Sequence, residues 1–157
     1  MASPFCLYRR MTQTTLRHHQ HEQPIPAGFE HLDRGSPFVG LLGPIYHKMS
    51  DGHHVIGIRL EHKHTNIKGI AHGGMLVTLA DTALGIALSL ATEGKRPMVT
   101  ANLSTDFLDA AHPGDWVEAH VDIQRIGARL AFASCQLMVE GKCILRASGV
   151  FVVLSAR

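Results

Sequence analysis

A long, almost uniformly apolar segment between Gly74 and Thr92 constrains the fold of this chain more than any other feature of its sequence. A helix that is apolar nearly all round belongs in the interior of a protein or of a membrane. The most apolar part, Met75–Ala91, is at the short limit for a membrane span of about 20 residues, and it contains Asp81. We therefore predict a buried helix over 74–92, surrounded by a β-sheet, and no membrane span.

One face of this helix carries only small or polar residues. At about 100° per residue they fall within one stripe, formed by Gly74, Thr78, Asp81, Thr82, Gly85, Ser89 and Thr92. The stripe leaves room for another group to approach, and it places a carboxylate inside an apolar segment. Because an unpaired buried carboxylate is costly, we expect Asp81 to pair with a strand arginine (Arg59 or Arg146), to cap a backbone group, or to serve in a functional cleft.

Apolar and polar residues alternate along much of the remaining chain, and short turns with glycine separate the alternating segments. We predict strands over 38–47, 53–61, 99–107, 117–124, 130–139 and 143–154, with a hairpin turn at Asp51–Gly52. Within the third strand, the shared apolar face is predicted to consist of Val99, Ala101, Leu103, Thr105 and Phe107. Antiparallel strands with one early helix predict an α+β domain over residues 24–157. Residues 1–23 are polar and aperiodic and predict a flexible tail.

Composition and charge exclude several classes of function. The chain has 157 residues, 45% of them hydrophobic, as expected of one globular domain. Its net charge of +2 lacks the basic excess of a nucleic-acid-binding protein. Three cysteines without a CxxC pair disfavour a disulfide framework and favour a reducing cytoplasm. The 12 histidines have no cysteine or carboxylate at metal-ligand spacing, so we predict no metal site.

A glycine pair stands directly before the long helix, in the sequence Ala71-His72-Gly73-Gly74. Glycines at a helix N-terminus expose backbone N–H groups without obstruction by side chains, at the positive end of the helix dipole. Such an end can stabilise a developing oxyanion. The loop and the carboxylate two turns downstream together indicate an active site.

These motifs resemble the signature of hotdog-fold acyl-CoA thioesterases of the PaaI-like, phenylacetate-degradation type. The resemblance is carried by residues 66–74 and 79–83, continues through 99–103 and 127–132, and covers about 38–154. It implies a long central helix wrapped by a curved antiparallel sheet of about five to six strands. It also implies a homodimer with active sites at the interface, and a tetramer formed by two such dimers.

The resemblance further implies hydrolysis of an acyl-CoA thioester to a free acid and CoA, with no cofactor beyond the CoA of the substrate. It makes Asp81 the general base or the nucleophile and the Gly73 amide the oxyanion donor. Asn66 would hold the water or the thioester. His72 would orient the loop or the sulfur, with a purely structural hydrogen bond as the alternative. The implied substrate-binding residues are Gly74, Thr100 near the catalytic water, and Arg125 and Arg129 near the CoA phosphates.

Two other functions stay open at this point. One is a hotdog hydratase or dehydratase that acts on an acyl thioester, and the other is a non-catalytic acyl-CoA-binding protein. The His-Gly-Gly loop and the helix carboxylate favour the thioesterase, and release of free thiol would distinguish it from both. The acyl chain and the carrier (CoA or acyl carrier protein) are undetermined, and positions that could line the acyl pocket or the core are Phe38, Leu41, Leu42 and Leu108.

Overall fold

A computed structural model describes residues 24–33 and 36–154 of the chain. Its elements follow in the order β1 (Glu30–His31), α1 (Pro37–Gly40), β2 (Tyr46–Ser50), β3 (His53–Arg59), α2 (Gly73–Ala91), β4 (Met98–Phe107), β5 (Trp116–Ile126), β6 (Leu130–Val139) and β7 (Lys142–Val153). A short 3-10 helix at His62–His64 lies between β3 and α2. The predicted tail over 1–23 lies outside the described residues.

The strands form one sheet, and α2 packs across it. All neighbouring strands are antiparallel, in the order β1-β2-β3-β5-β6-β7-β4. α2 contacts β3 and the four strands from β4 to β7. The predicted α+β fold is confirmed. The sheet has seven strands rather than five to six, because the two-residue β1 extends one edge.

The hydrophobic core lies between α2 and the sheet. Helix residues facing the sheet are buried, namely Met75, Leu76, Leu79, Ala80, Ala83, Leu84, Ala87 and Leu88. In β5 the buried Val117, Ala119 and Val121 alternate with more exposed residues, as predicted. By length and hydropathy α2 could also cross a membrane. The burial of α2 against the sheet explains its apolar composition equally well.

The predicted strand over 38–47 is wrong in its first half. The structure has the short helix α1 at Pro37–Gly40, and β2 begins only at Tyr46. Ser36 is the N-cap of α1 and accepts a hydrogen bond from the Val39 N–H at 3.3 Å, with Pro37 as the first helical residue. Serine before proline is a favourable helix start. This local signal therefore outweighs the apolar composition of the segment.

The predicted hairpin at Asp51–Gly52 is confirmed. β2 and β3 pair in antiparallel register on either side of it. Asp51 and Gly52 have φ values of 51° and 79°. Positive φ at both central residues suits the tight two-residue turn that matches the twist of the strands.

β4 forms an edge of the sheet and contains a β-bulge. Its pairing with β7 shifts in register between Thr100 and Asn102. Because the bulge adds one residue, Thr100 contacts α2 and Leu103 packs against the core from the same strand. The predicted single face from Val99 to Phe107 is therefore wrong at its start, and Val99 is 49% exposed.

Candidate active site

The N-terminus of α2 presents a backbone N–H group that donates to no acceptor within the described part of the chain. His72 is the N-cap, and its Nδ1 accepts a hydrogen bond from the Gly74 N–H at 3.0 Å. The N–H groups of Met75 and Leu76 donate to the His72 carbonyl. The Gly73 N–H is thus left at the positive end of the helix dipole, where negative charge is stabilised. His72 makes the structural hydrogen bond that the sequence left open.

The ring of Phe107 lies directly against Gly73. A Cβ atom at position 73 would be 3.2 Å from Cε1 and 3.3 Å from Cζ of that ring. Phe107 itself is 55% exposed. The absence of a side chain at Gly73 therefore lets an aromatic ring of β4 approach the start of the helix while the helix end stays accessible.

Asp81 lies two turns further along α2, on its face of small and polar residues and beside β4. Its side chain is partly exposed, and Oδ1 accepts a hydrogen bond from the Thr100 hydroxyl at 2.8 Å. Among the described residues Asp81 forms no ion pair, and Oδ2 has no hydrogen-bond partner. Arg59 instead donates to the carbonyls of Gly114 and Pro24. The structural alternative for Asp81, an ion pair with Arg59 or Arg146, is not what the structure contains.

Thr100 reaches Asp81 because of the bulge in β4. The predicted proximity of this threonine to the carboxylate is present, and its hydroxyl donates directly to Asp81. A hydrogen bond to a charged acceptor is stronger than one between neutral groups. It fixes one carboxylate oxygen and leaves the other available to accept a proton or to attack a carbonyl carbon.

Asn66 belongs to the loop that precedes α2. Its Oδ1 accepts a hydrogen bond from the Lys68 N–H at 2.8 Å, and its backbone N–H donates to the Ile70 carbonyl at 2.8 Å. These bonds close a tight turn around Gly69, which has a φ of 76°. The structure therefore gives Asn66 a local structural role and leaves its side-chain NH₂ group available.

Arg125, near the end of β5, and Arg129, in the turn between β5 and β6, are exposed on either side of Gly127. A third arginine, Arg96, lies between α2 and β4 and stabilises this turn. Its Nη2 donates to the carbonyls of Gly127 at 2.6 Å and Ala128 at 3.2 Å. Arg96 could not be identified from the sequence, since no local pattern links a residue after α2 to a turn about 30 positions away.

These candidate residues are exposed or partly exposed in the protomer. A cavity of about 640 Å³ lies instead on the opposite side of the sheet, where its lining includes Arg59, Trp116 and Glu118. Asp81 and Gly73 do not line it. Nor do three His, Cys, Asp or Glu side chains come together at a possible metal site anywhere in residues 24–33 and 36–154.

Comparison with known proteins relates this geometry to a family. The model of the thioesterase superfamily matches residues 68–142. A Pseudomonas aeruginosa protein, named provisionally as an esterase, is 43% identical over 128 residues, which cover 81% of this chain and 96% of that protein. Acyl-coenzyme A thioesterase 13 of Mus musculus is 34% identical over 80 residues, covering 51% of this chain and 56% of that enzyme.

Solved structures give the same relationship. A variant of the phenylacetic acid degradation protein PaaI of Thermus thermophilus has a TM-score of 0.65 at 28% identity, covering 76% of this chain and 100% of that one. A hypothetical thioesterase of Streptococcus pneumoniae, solved with coenzyme A, has a TM-score of 0.64 at 26% identity, covering 72% of this chain and 90% of that one. The resemblance to PaaI-like proteins is confirmed. The chain belongs to the thioesterase superfamily and is a thioester hydrolase with the hotdog fold.

Proposed function

We propose that this thioester hydrolase is an acyl-CoA thioesterase in which Asp81 is the general base or the nucleophile. The observation that carries the proposal is the setting of Asp81, a partly exposed carboxylate in the middle of an apolar helix. Within the described residues it has no cationic partner and is held by one hydrogen bond from Thr100. A carboxylate that serves only structure is normally paired or fully hydrogen-bonded. One that performs chemistry must stay open to water and substrate.

Asp81 and the Gly73 amide of one chain are too far apart to act on the same thioester. They are separated by about 12 Å along the helix axis, at ~1.5 Å per residue. A base or nucleophile and an oxyanion donor must both come within about 3 Å of the reacting group. We therefore assign each active site to two copies of the chain, with Asp81 of one copy opposite Gly73 of the partner subunit.

The edge of the sheet supports this assembly. β4 is ten residues long, pairs on one side only among the strands of the described residues, and carries exposed residues along most of its length. A long unpaired edge readily pairs with another strand. Pairing of β4 with β4 of a second copy would also cover the face of α2 that bears Asp81. Two such dimers would form the tetramer that the sequence resemblance implies.

Each residue then has a chemical role. The Gly73 N–H stabilises the negative charge that develops on the thioester carbonyl oxygen. Asp81 accepts a proton from the attacking water, or attacks the carbonyl carbon itself to form an anhydride that water then hydrolyses. Thr100 holds the carboxylate in place. Asn66 offers its NH₂ group to the water or the thioester, and the thiolate of CoA leaves.

The CoA part of the substrate is proposed on different grounds. Arg125 and Arg129 are exposed on either side of Gly127, and Arg96 donates to the carbonyls of Gly127 and Ala128, so three arginines lie around one turn. Arginine binds phosphate groups through paired hydrogen bonds. The mouse relative is named an acyl-coenzyme A thioesterase, and the Streptococcus pneumoniae structure contains coenzyme A. Both names agree with a CoA ester as substrate.

The proposal is tested by thiol release from a panel of acyl-CoA esters that ranges from short to long and includes aryl groups. We expect hydrolysis of at least one ester. The substitution Asp81→Asn should lower kcat at least about a hundredfold, because it removes the base or nucleophile while preserving the hydrogen bond from Thr100. Asp122→Asn, an exposed carboxylate on β5, is the matched control and should keep wild-type kcat.

Two results would contradict the proposal. Wild-type turnover in Asp81→Asn would remove this carboxylate from the mechanism. Addition of water to an enoyl-CoA ester without release of thiol would indicate a hydratase instead. Size-exclusion chromatography on the same samples should give a mass of at least twice the 17.1 kDa of one chain.

A further inference from the structure

His64 is a buried polar side chain outside the set of residues assigned above. It is 3% exposed and lies in the 3-10 helix that precedes the loop to α2. Its ring is too deeply buried to contact a substrate. Polar groups in such positions are normally fully hydrogen-bonded, and the partners of this ring show what it holds together.

Both ring nitrogens of His64 have partners. Nδ1 accepts a hydrogen bond from the Glu61 N–H at 2.9 Å, and Nε2 is 2.7 Å from the Leu42 carbonyl oxygen. Because a backbone N–H can only donate, Nδ1 carries no proton. Nε2 must then carry the proton that it donates to Leu42. The ring is therefore neutral and joins the start of the 3-10 helix to the segment between α1 and β2.

The backbone of His64 reaches the active site directly. Its carbonyl accepts a hydrogen bond from the His72 N–H at 2.8 Å, and Thr65 and Ala71 form a β-bridge beside it. His72 in turn caps α2 through its own ring, which leaves the Gly73 amide exposed. Three successive hydrogen bonds thus run from the Leu42 carbonyl through His64 and His72 to the first turn of α2.

We propose that His64 is a positioning residue that fixes the His72–Gly73 backbone, and hence the oxyanion donor, relative to the rest of the site. The inference rests on the proposed function, in which the Gly73 amide binds the thioester oxygen. Its ring bonds hold the carbonyl of residue 64, and that carbonyl holds the amide of residue 72. A loose anchor would let the Gly73 N–H move away from the position where the oxyanion forms.

Three substitutions separate the bonds of this ring. His64→Phe keeps the ring shape and loses both bonds, His64→Asn keeps an acceptor near Nδ1, and His64→Gln keeps a donor near Nε2. We expect His64→Phe to lower kcat at least about tenfold with KM within about twofold, and to speed amide hydrogen exchange at His72 by about tenfold. The Asn and Gln variants should each fall between His64→Phe and wild type in both readouts.

The control is His62→Gln, at an exposed histidine of the same 3-10 helix, which should match wild type in kcat and in exchange. If His64→Phe does not fold, the Asn and Gln variants carry the test. The proposal is overturned if folded variants keep wild-type kcat, or if kcat falls while exchange at His72 does not change. In Asp81→Asn, exchange at His72 should stay at the wild-type rate. If Asp81→Asn keeps its activity, the assignment of Asp81 is wrong. The anchoring role of His64 is then decided by amide hydrogen exchange at His72 alone.

Discussion

At residue 73 the lack of a side chain leaves room for the Phe107 ring, whereas the free amide is the proposed oxyanion donor. Substitutions can separate these two properties. A Cβ atom there would press on the Phe107 ring at 3.2 Å. Replacement of that ring by alanine removes the obstruction, so that other residues fit at position 73. Proline is tolerated as the first residue of a helix, where its lack of an N–H group breaks no helical hydrogen bond.

We predict that Gly73→Pro in a Phe107→Ala background lowers kcat about 100- to 1000-fold relative to Gly73→Ala in the same background. Both variants add a Cβ atom, but only proline removes the N–H group. Removal of one oxyanion-hole donor raises the activation barrier by about 2.7–4 kcal/mol. Thiol release by the two purified double variants measures the difference. Equal kcat values would show that the Gly73 amide is not the oxyanion donor.

The burial of three histidines predicts how stability depends on pH. Burial lowers the pKa of His47, His54 and His64 below the ordinary value of 6.5. Below about pH 6.5 the unfolded chain therefore binds more protons at these sites than the folded protein does. Their contribution to the free energy of unfolding is thus unchanged above this pH and falls as the pH decreases toward the folded pKa values.

We expect the Tm of the wild type to decrease between about pH 7.5 and about pH 5.5. His64→Gln should show a shallower decrease, because one of the three groups no longer titrates. Thermal unfolding monitored by circular dichroism measures both slopes. An unchanged slope in His64→Gln would mean that this imidazole keeps an ordinary pKa in the folded protein.

At the scale of elements, α2 and the strands β5 to β7 could be predicted because their signals are local and periodic. An apolar helix with a polar stripe, and strands with strict alternation, encode burial in their own sequence. The bulge in β4 could not be predicted, since it depends on the register with β7. The hydrogen bond between Thr100 and Asp81 follows from that bulge. For this reason the sequence placed both residues in the site but not their direct contact.

The turn between β5 and β6 depends on a contact between distant elements. Arg96 donates to the carbonyls of Gly127 and Ala128 and so fixes the turn that contains Arg129 and follows Arg125. Those two arginines could be identified as candidate CoA ligands from the family motif. The residue that holds their turn could not, because it follows α2 in a segment with no pattern of its own.

We predict that Arg96→Gln raises KM for an acyl-CoA ester about tenfold while KM for the matching acyl-pantetheine ester changes less than about twofold. The pantetheine ester lacks the nucleotide phosphates, so loss of order in the turn affects only the CoA ester. Lys95→Gln, at the exposed neighbour that pairs with Glu93, is the control. An equal rise of KM for both esters would place the effect of Arg96 elsewhere in the site.

At the scale of the whole molecule, each protomer holds two halves of the proposed active site, and these halves cannot meet within one chain. The helix keeps its N-terminal amide and its carboxylate about 12 Å apart, and no movement of side chains bridges that distance. The same helix can nevertheless supply both halves when two copies face each other across a two-fold axis. In such an interface each copy gives its carboxylate to one site and its amide to the other.

The two-fold symmetry predicts an experimental result that is not expected if both groups act within one chain. Asp81→Asn and the Phe107→Ala/Gly73→Pro double variant should each be nearly inactive alone. When the two are unfolded together and refolded at equal concentration, about half of the dimers are mixed, and one of the two sites in each mixed dimer has both native groups. Thiol release should therefore recover to about a quarter of the activity of Phe107→Ala treated in the same way. If both groups instead acted within one chain, every chain in the mixture would lack one of them, and refolding together would restore nothing.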